Sequence, residues 1–417
     1  MHKTIAGAVL GLAVVLGGSA LADTVNVEVY GTLLPFLDSA KTWGATATAP
    51  ATAPNQVAPA GYTAVNSSAR GRLTSGTSNI GFRGNVVLVG DWKAIFQVEA
   101  AVPVDGDQAP LGVFASRNSH VGVSSPFGTL FYGIWDTPYK WTTITIAPVR
   151  GLNPFDYDDI LENPGFNVPG TTTQSSRVGG KADAAFSRRQ GNSLQYWTPT
   201  FYGLSARAGY SLNEGKAAIP GGGGREINPD VLSLSVAYET GLFFVRYAYE
   251  QHDDYFGMSQ IGGSPGASAT NPSSKDKAHK VVAALILPQT RVYGTVERLI
   301  YDSDDTAGGA VNHYRRDAYY LQVVQRFGPA GVWGGFGQAF DGECARVGGA
   351  ACSTNGLGAV LWSIGGLYDF AKRTTIYGSY FSVITGESSS YGIFPAVGTT
   401  APGANSRGLG LGILQIF

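Results

Sequence analysis

Apolar residues recur at every second position along much of this chain. In "VLSLSVAY", Leu232, Leu234, Val236 and Tyr238 alternate with Ser233, Ser235 and Ala237. In "LSARAGYSLN", Leu204, Ala206, Ala208, Tyr210 and Leu212 alternate with Ser205, Arg207, Gly209, Ser211 and Asn213. "FFVRYAYE" sets Phe243, Val245, Tyr247 and Tyr249 against Phe244, Arg246, Ala248 and Glu250, and the final "GLGLGILQIF" sets Leu409, Leu411 and Ile413 against Gly408, Gly410 and Gly412. A period of two belongs to extended strands with one apolar and one polar face. Beyond the N-terminus, no apolar run approaches the ~18–20 residues of a membrane helix. The longest, Val281 to Leu287, stops at Pro288. An all-β chain is expected.

The connections come in two sizes. Short ones carry turn residues, as in "SSPFGT", "YETG", "LPQT" and "FGPAG". Long ones are polar or of low complexity, as in "GATATAPATAPNQVAPAG" and "YFGMSQIGGSPGASATNPSSKDK". Short and long alternate, which describes an up-and-down barrel with tight turns at one end and long loops at the other. Counting between these marks gives about sixteen strands. A barrel of that size encloses more space than side chains can fill, so its lumen holds water. The polar faces then look inward and the apolar faces outward into lipid, the reverse of a soluble barrel. The last segment is expected to close the ring against the first strand, "VNVEVYGTLLPFLD". Tyr238, Tyr249, Tyr377, Tyr380, Phe327 and Phe417 lie near strand ends, where interfacial aromatic girdles belong.

Composition agrees. Only 14% of residues are charged, the chain holds 58 Gly and 21 Tyr, and the net charge is −1. That charge fraction is about half the ordinary share, and the near-neutral balance argues against nucleic acid as a partner. The start, "MHKTIAGAVLGLAVVLGGSALA", combines a basic residue, an apolar run from Ile5 to Leu16 and small residues at Ala20 and Ala22. That is the pattern of a secretory signal cleaved after Ala22. Residues 1–22 are therefore read as signal and 23–417 as one barrel domain. The two cysteines, Cys344 and Cys352, lie close together in a loop and are candidates for a disulfide in an exported protein. Two thiols without a nearby His do not make a zinc site, and no cofactor is expected.

Several words occur in order: "SNIGFRG", "GDWKAIFQVEAAV", "SRNSHVGVSSPFGTLFYGIWDTPY", "RRQGNSLQYWTPTFYGL" and "FAKRTTIYGSY". They resemble the general porins of Gram-negative outer membranes, in particular the trimeric proteobacterial type. The resemblance runs through Asn79 to Leu204, returns near Phe370 to Tyr380 and includes the terminal Phe417. It implies a sixteen-stranded homotrimer in outer-membrane lipid, passing small hydrophilic solutes and ions. It also implies a long third loop folded into the pore, basic wall residues facing acidic loop residues, and recognition of Phe417 by the barrel-assembly machinery.

The third loop falls between Thr137 and Arg188, about 50 residues with Phe155, Tyr157, Ile160, Leu161 and Phe166 among its acids. A loop of that length is functional or disordered; residues 139–187 are read as the constriction loop. By resemblance, Arg83, Arg117 and Arg189 are the basic wall, and Asp156, Asp158, Asp159 and Glu162 the acidic loop. The parity of Arg83 opposes Ile80 and Phe82, so it faces water. Arg117 shares the parity of Val121 and faces the lumen only if a bulge intervenes. Asn79 and Ile134 stand where the family usually has Arg. With two wall cations missing and four loop acids present, a weak cation preference is expected.

Other readings fare less well. "GGSPG" at Gly262 to Gly266 fits G-x-S-x-G but lies in a Gly/Ser-rich loop, away from any strand-to-helix elbow. "GGGG" at Gly221 to Gly224 lacks the Lys-Ser/Thr of a phosphate loop. The histidines after the signal, His120, His252, His279 and His313, form no motif with a serine nucleophile. No catalytic residues are assigned. A secreted soluble β-protein is the remoter rival. A substrate-selective channel for a sugar or organic anion is the nearer one, with Trp135, Tyr139 and Trp141 as the possible start of an aromatic slide. Anchoring of the loop root is the plainer role for those three.

Overall fold

A computed structural model describes residues 25–46, 57, 64–106, 114–149, 160–166, 184–186, 188–212, 217–218, 226–260, 273–304, 308–392 and 400–417. Sixteen antiparallel strands close into a barrel. They are β1 (Val25–Leu33 and Phe36–Trp43), β2 (Arg70–Thr74 and Asn79–Val89), β3 (Trp92–Ala101), β4 (Ser119–Ser125), β5 (Gly128–Asp136), β6 (Arg189–Trp197), β7 (Leu204–Leu212) and β8 (Asp230–Glu239). β9 (Phe243–Asp253), β10 (Ser274–Ile286), β11 (Thr290–Ser303), β12 (Val311–Phe327), β13 (Ala330–Ala339), β14 (Ala359–Ala371), β15 (Thr374–Thr385) and β16 (Asn405–Ile416) complete it. Each strand pairs with its neighbours in sequence, and β16 closes on β1 through Thr32↔Ile416 and the register from Phe36↔Gly412 to Trp43↔Asn405. Phe417 continues the closure: its N–H donates to Gly31 O and its C=O accepts from Gly31 N–H, both at 3.1 Å.

β1 and β2 are each interrupted once, side by side. Pro35 has no N–H to give the ladder, and Leu34 N–H turns instead to Ser78 Oγ at 2.8 Å. Ile413 N–H still donates to Pro35 O at 3.1 Å. The break in β2 falls at residues 75–78, where Gly76 takes a φ of +55°, a conformation glycine adopts without a Cβ penalty. At the break in β2, side chains replace ladder partners: Ser75 N–H donates to Asp105 Oδ2 at 2.7 Å and Gly76 N–H to Thr74 Oγ1 at 3.3 Å.

The faces follow the alternation in the sequence. Leu409 and Leu411 are 55% and 57% exposed on the outside, whereas Gly408 and Gly410 are buried on the inside. Leu234, Val236 and Tyr238 point outward, and Ser233 and Ser235 inward. One girdle candidate is corrected. Tyr377 shares the inward parity of Ser379 and Phe381, opposite the exposed Ile376, and is 1% exposed. Its place near a strand end suggested the interface; its parity decides otherwise.

Short connections at 90–91, 126–127, 240–242, 287–289, 328–329 and 372–373 gather at one end. At the other end, the connection from β5 to β6 opens with one helix, α1 (Pro138–Ile144). Thr137 caps it by accepting from Lys140 N–H at 3.3 Å, with Pro138 in the first turn, where its missing N–H costs nothing. A short segment, Glu343–Arg346, pairs with the loop end of β12. It carries Cys344, which is joined to Cys352.

The face assignment generates a test. Leu234→Arg, at mid-height on the outward face, should lower barrel stability by ~2–4 kcal/mol. Asn85→Arg, on the inward face, should change it by about 0.5 kcal/mol or less. Urea titration of vesicle-folded protein, read by gel shift, gives both values, and equal tolerance would reverse the faces.

Candidate pore constriction

The described parts of the β5–β6 connection lie mainly against the inward faces of β8 to β12, while Pro148 and Val149 line a cavity with Leu367, Thr375 and Leu414 of β14 to β16. Hydrogen bonds from the wall to loop carbonyls fix them there. Arg246 of β9 donates to Thr142 O at 3.0 Å and to Thr145 Oγ1 at 2.6 Å. Gln322 of β12 donates to Ile146 O at 2.6 Å, and Arg316 to Ile160 O at 3.2 Å and also to Asn163 O. Tyr139 N–H donates to Ser233 Oγ at 2.9 Å. At the far end of the connection, Tyr301 O–H donates to Ala184 O, and Phe186 stacks on His252 with ring centroids 4.3 Å apart.

Two fully buried ion pairs sit at the centre. Lys280 of β10 pairs with Glu162 of the loop, and both touch Thr143 Oγ1. Arg316 of β12 pairs with Glu297 of β11 at 3.2 Å. The Glu297 carboxylate also accepts from Glu162 N–H at 2.9 and 2.8 Å and from the Tyr139 hydroxyl at 3.0 Å. Burial and the facing carboxylates push the Tyr139 phenol well above its usual pKa, so it stays a donor. Lys280 lies 4.0 Å from the centre of the Tyr139 ring. Charges taken this far out of water are tolerated only when paired and hydrogen-bonded.

The three basic wall residues read from the sequence come together on the opposite arc, over β1 to β6. Each meets a carboxylate of the wall itself. Arg83 pairs with Glu28 across the β1–β2 ladder at 2.8 Å and lies over the Tyr30 ring. Arg117 pairs with Glu99 at 2.7 Å, and Tyr30 O–H donates to the same carboxylate. Arg117 reaches this inward face from the bend that precedes β4, so no bulge is needed. Arg189 donates to Asn118 Oδ1 at 2.5 Å and lies 3.7 Å from Asp136, which also meets Lys140 at 3.3 Å.

Of the four loop acids, Glu162 is placed, and it is engaged by Lys280. Asp156, Asp158 and Asp159 lie outside the described residues. Asn79 is buried and donates to Thr77 O at 3.0 Å; Ile134 sits at a bulge between Gly133 and Trp135. Sequence reasoning missed the wall acids Glu28, Glu99 and Asp136. Glu28 was within reach, because its parity opposes Val27 and Val29. It also missed Lys280, Arg246, Arg316 and Arg207, although Arg207 and Arg246 already stood on polar faces of their strands.

The aromatic candidates divide. Tyr139 is buried under the loop root and anchors it. Trp135 joins an inward cluster with His120, Phe131 and Trp197, at centroid distances of 4.8, 5.4 and 5.8 Å. Trp141, on α1, faces Arg207 of β7 and Arg246 of β9, 3.6 and 4.7 Å from its ring centre. Among the described residues, no three His, Cys, Asp or Glu side chains are placed to hold a metal ion.

Comparison with known proteins completes the assignment. A family described as "Gram-negative porin" matches residues 6–383. The major outer membrane protein P.IB of Neisseria lactamica is 24% identical over 305 residues, covering 72% of this chain and 74% of that protein. The P.IB protein of Neisseria meningitidis serogroup A is 30% identical over 179 residues, 42% of this chain and 44% of that one. Among solved structures, the anion-selective porin from Comamonas acidovorans superposes with a TM-score of 0.67 at 19% identity, over 94% of this chain and 100% of its own. OmpT of Vibrio cholerae superposes with a TM-score of 0.57 at 14% identity, over 95% and 99%. The closed sixteen-stranded barrel, the matched family and these outer-membrane relatives agree, and the chain belongs to the Gram-negative porins, non-enzymatic channel proteins of the outer membrane.

Proposed function

We propose that this porin is a passive diffusion channel for small hydrophilic solutes and ions, narrowed at mid-height by residues 139–187. The observation that carries this reading is the docking of the β5–β6 connection on wall donors inside a barrel too wide for side chains to fill. The chain is exported by a cleaved signal at residues 1–22, leaving 23–417 as the barrel. It assembles as a homotrimer, as family members generally do, with Phe417 as the mark read by the assembly machinery.

The wall charges bear on selectivity. A cation preference needs loop carboxylates that act on the pore, and Glu162 is neutralised by Lys280. The arginines at 83 and 117 are likewise balanced by Glu28 and Glu99, and Arg189 shares Asp136 with Lys140. Arg207 differs. Among the described residues it has neither a hydrogen-bond partner nor a carboxylate within ion-pair distance; Trp141 and Trp197 hold it, 3.6 and 4.0 Å from their ring centres. One unit charge ~10 Å from a passing ion in water contributes ~0.4 kcal/mol, or about a twofold bias, less at high salt. In place of the cation preference read from the sequence, we assign the channel a weak anion preference.

Two measurements test this reading. Deleting Gly151 to Gly180 should raise single-channel conductance in planar bilayers, because it removes chain from the lumen and no barrel strand; unchanged conductance would place the connection outside the pore. The zero-current potential across a KCl gradient should take the anion sign at low salt, and Arg207→Gln should move it toward cations. A firm cation potential in the unaltered channel would return the decision to Asp156, Asp158 and Asp159.

A further inference from the structure

Resting on the channel reading above, we infer that the slot around Arg207 is a binding site for planar aromatic carboxylates in transit.

The slot is built from three elements. Trp197 stands at the end of β6 and Arg207 directly across the ladder from it on β7. Trp141 comes down from α1, which is fixed above them by the bonds from Arg246 to Thr142 O and Thr145 Oγ1. Trp141 and Trp197 therefore belong to different parts of the chain, and both approach the Arg207 guanidinium. Each is itself held. Arg246 also lies over Trp141, 4.7 Å from its ring centre, and its charge is balanced by Glu239 at 2.7 Å. Trp197 is braced by an edge contact from Phe131 at 4.9 Å and by its own N–H, which donates to Gln195 Oε1 at 3.1 Å.

The chemistry follows from what is left over. A guanidinium presents two faces and an edge of five N–H donors in one plane. Here two indoles cover the guanidinium, with ring centres 3.6 and 4.0 Å from Cζ, while its N–H groups have no protein acceptor among the described residues. Arg207 is half-buried on the inward face of β7, so part of its guanidinium stays accessible from the lumen. A carboxylate binds such an edge through two parallel hydrogen bonds, coplanar with the guanidinium. In benzoate the ring is conjugated with its carboxylate and lies in the same plane, so guanidinium, carboxylate and ring enter as one flat unit. An indole is wider than a guanidinium, so the two rings overhang its edge and offer apolar faces to that unit. Acetate reaches the same hydrogen bonds without the ring contact, and a tetrahedral anion such as sulfate does not fit a flat slot. The Trp135 and Phe131 cluster continues the aromatic surface from Trp197 along the wall, giving a released ligand its next contact.

The test is single-channel recording in planar bilayers with benzoate, acetate or sulfate added to a KCl background. Benzoate should lower the current in a saturable way, and acetate and sulfate at the same concentrations should not. Arg207→Gln and Trp197→Leu should each weaken the benzoate effect at least about tenfold. Arg207→Lys, which keeps the charge but loses the flat fork, should not restore it. Equal effects of benzoate and acetate, an unchanged benzoate effect in Arg207→Gln, or full function in Arg207→Lys would overturn the site while leaving the channel reading intact. Folded protein, verified by its gel shift, that conducts no current at all would instead overturn the channel reading. Should an Arg207 variant fail to fold, the benzoate–acetate contrast in the unaltered protein and in Trp197→Leu still decides.

Discussion

A peptide group in hydrocarbon has no water to bond, and every other feature of this molecule is arranged around that fact. Each unsatisfied N–H or C=O facing lipid costs several kcal/mol, so the sheet has to close. Closure sets β16 against β1 and brings Phe417 to Gly31. It tolerates Pro35 because Ser78, in the matching break of β2, supplies a side-chain acceptor beside the gap. Closing sixteen strands in turn creates an interior too large to pack, and water enters it. The inversion of faces, apolar outward and polar inward, follows from those two steps.

The same rule applies to the chain that enters the lumen. A loop pressed against a wall loses water from its carbonyls and has to be repaid by donors, and the wall of β8 to β12 is rich in them. Arg246, Gln322 and Arg316 spend their N–H groups on Thr142, Ile146, Ile160 and Asn163. The buried pairs Lys280–Glu162 and Arg316–Glu297 are weak sources of net stability, since desolvation offsets much of their attraction. Removing one partner would leave a bare charge, so the pairs fix where the loop sits rather than how tightly the barrel holds. The opposite arc, β1 to β6, holds the basic residues read from the sequence. Its charges alternate in sign from Glu28 and Arg83 through Glu99 and Arg117 to Asp136 and Arg189; the first pair is exposed to the lumen, and Glu99 and Asp136 are buried beside their partners.

Much of this could be read from the sequence because period two is a strong signal wherever one face meets lipid. A register slip of one residue would turn every apolar side chain inward, so the alternation in Leu232 to Tyr238 or Leu409 to Ile413 had one consistent interpretation. Strand number, turn positions and the extent of the β5–β6 connection followed from punctuation by Gly, Pro and Asp. Partners did not. Glu162 and Lys280 are more than a hundred residues apart, and no pattern near either one announces the other. Arg83 could be placed on the water side, but its neutralisation by Glu28 depends on the register Glu28↔Arg83, which alternation alone leaves open. Tyr377 went wrong for the opposite reason: parity was available, and proximity to a strand end was given more weight.

How a charge is held decides what it does to passing ions. An arginine fixed by a carboxylate is rigid but neutralised as a pair, and its field falls off as that of a dipole. Arg83, Arg117 and Arg189 are of this kind, so their number says little about selectivity. An arginine fixed by aromatic faces is also rigid, because cation–π contacts contribute roughly 0.5–2 kcal/mol each, yet it keeps its full unit charge and its donor edge. Arg207 is held in this second way, at the seam between the arc that carries the loop and the arc that carries paired charges. Trp141 belongs to the loop root and Trp197 to the wall, so the stack depends on the loop being docked. The buried pairs that position the loop therefore also determine whether the free guanidinium is presented to the pore.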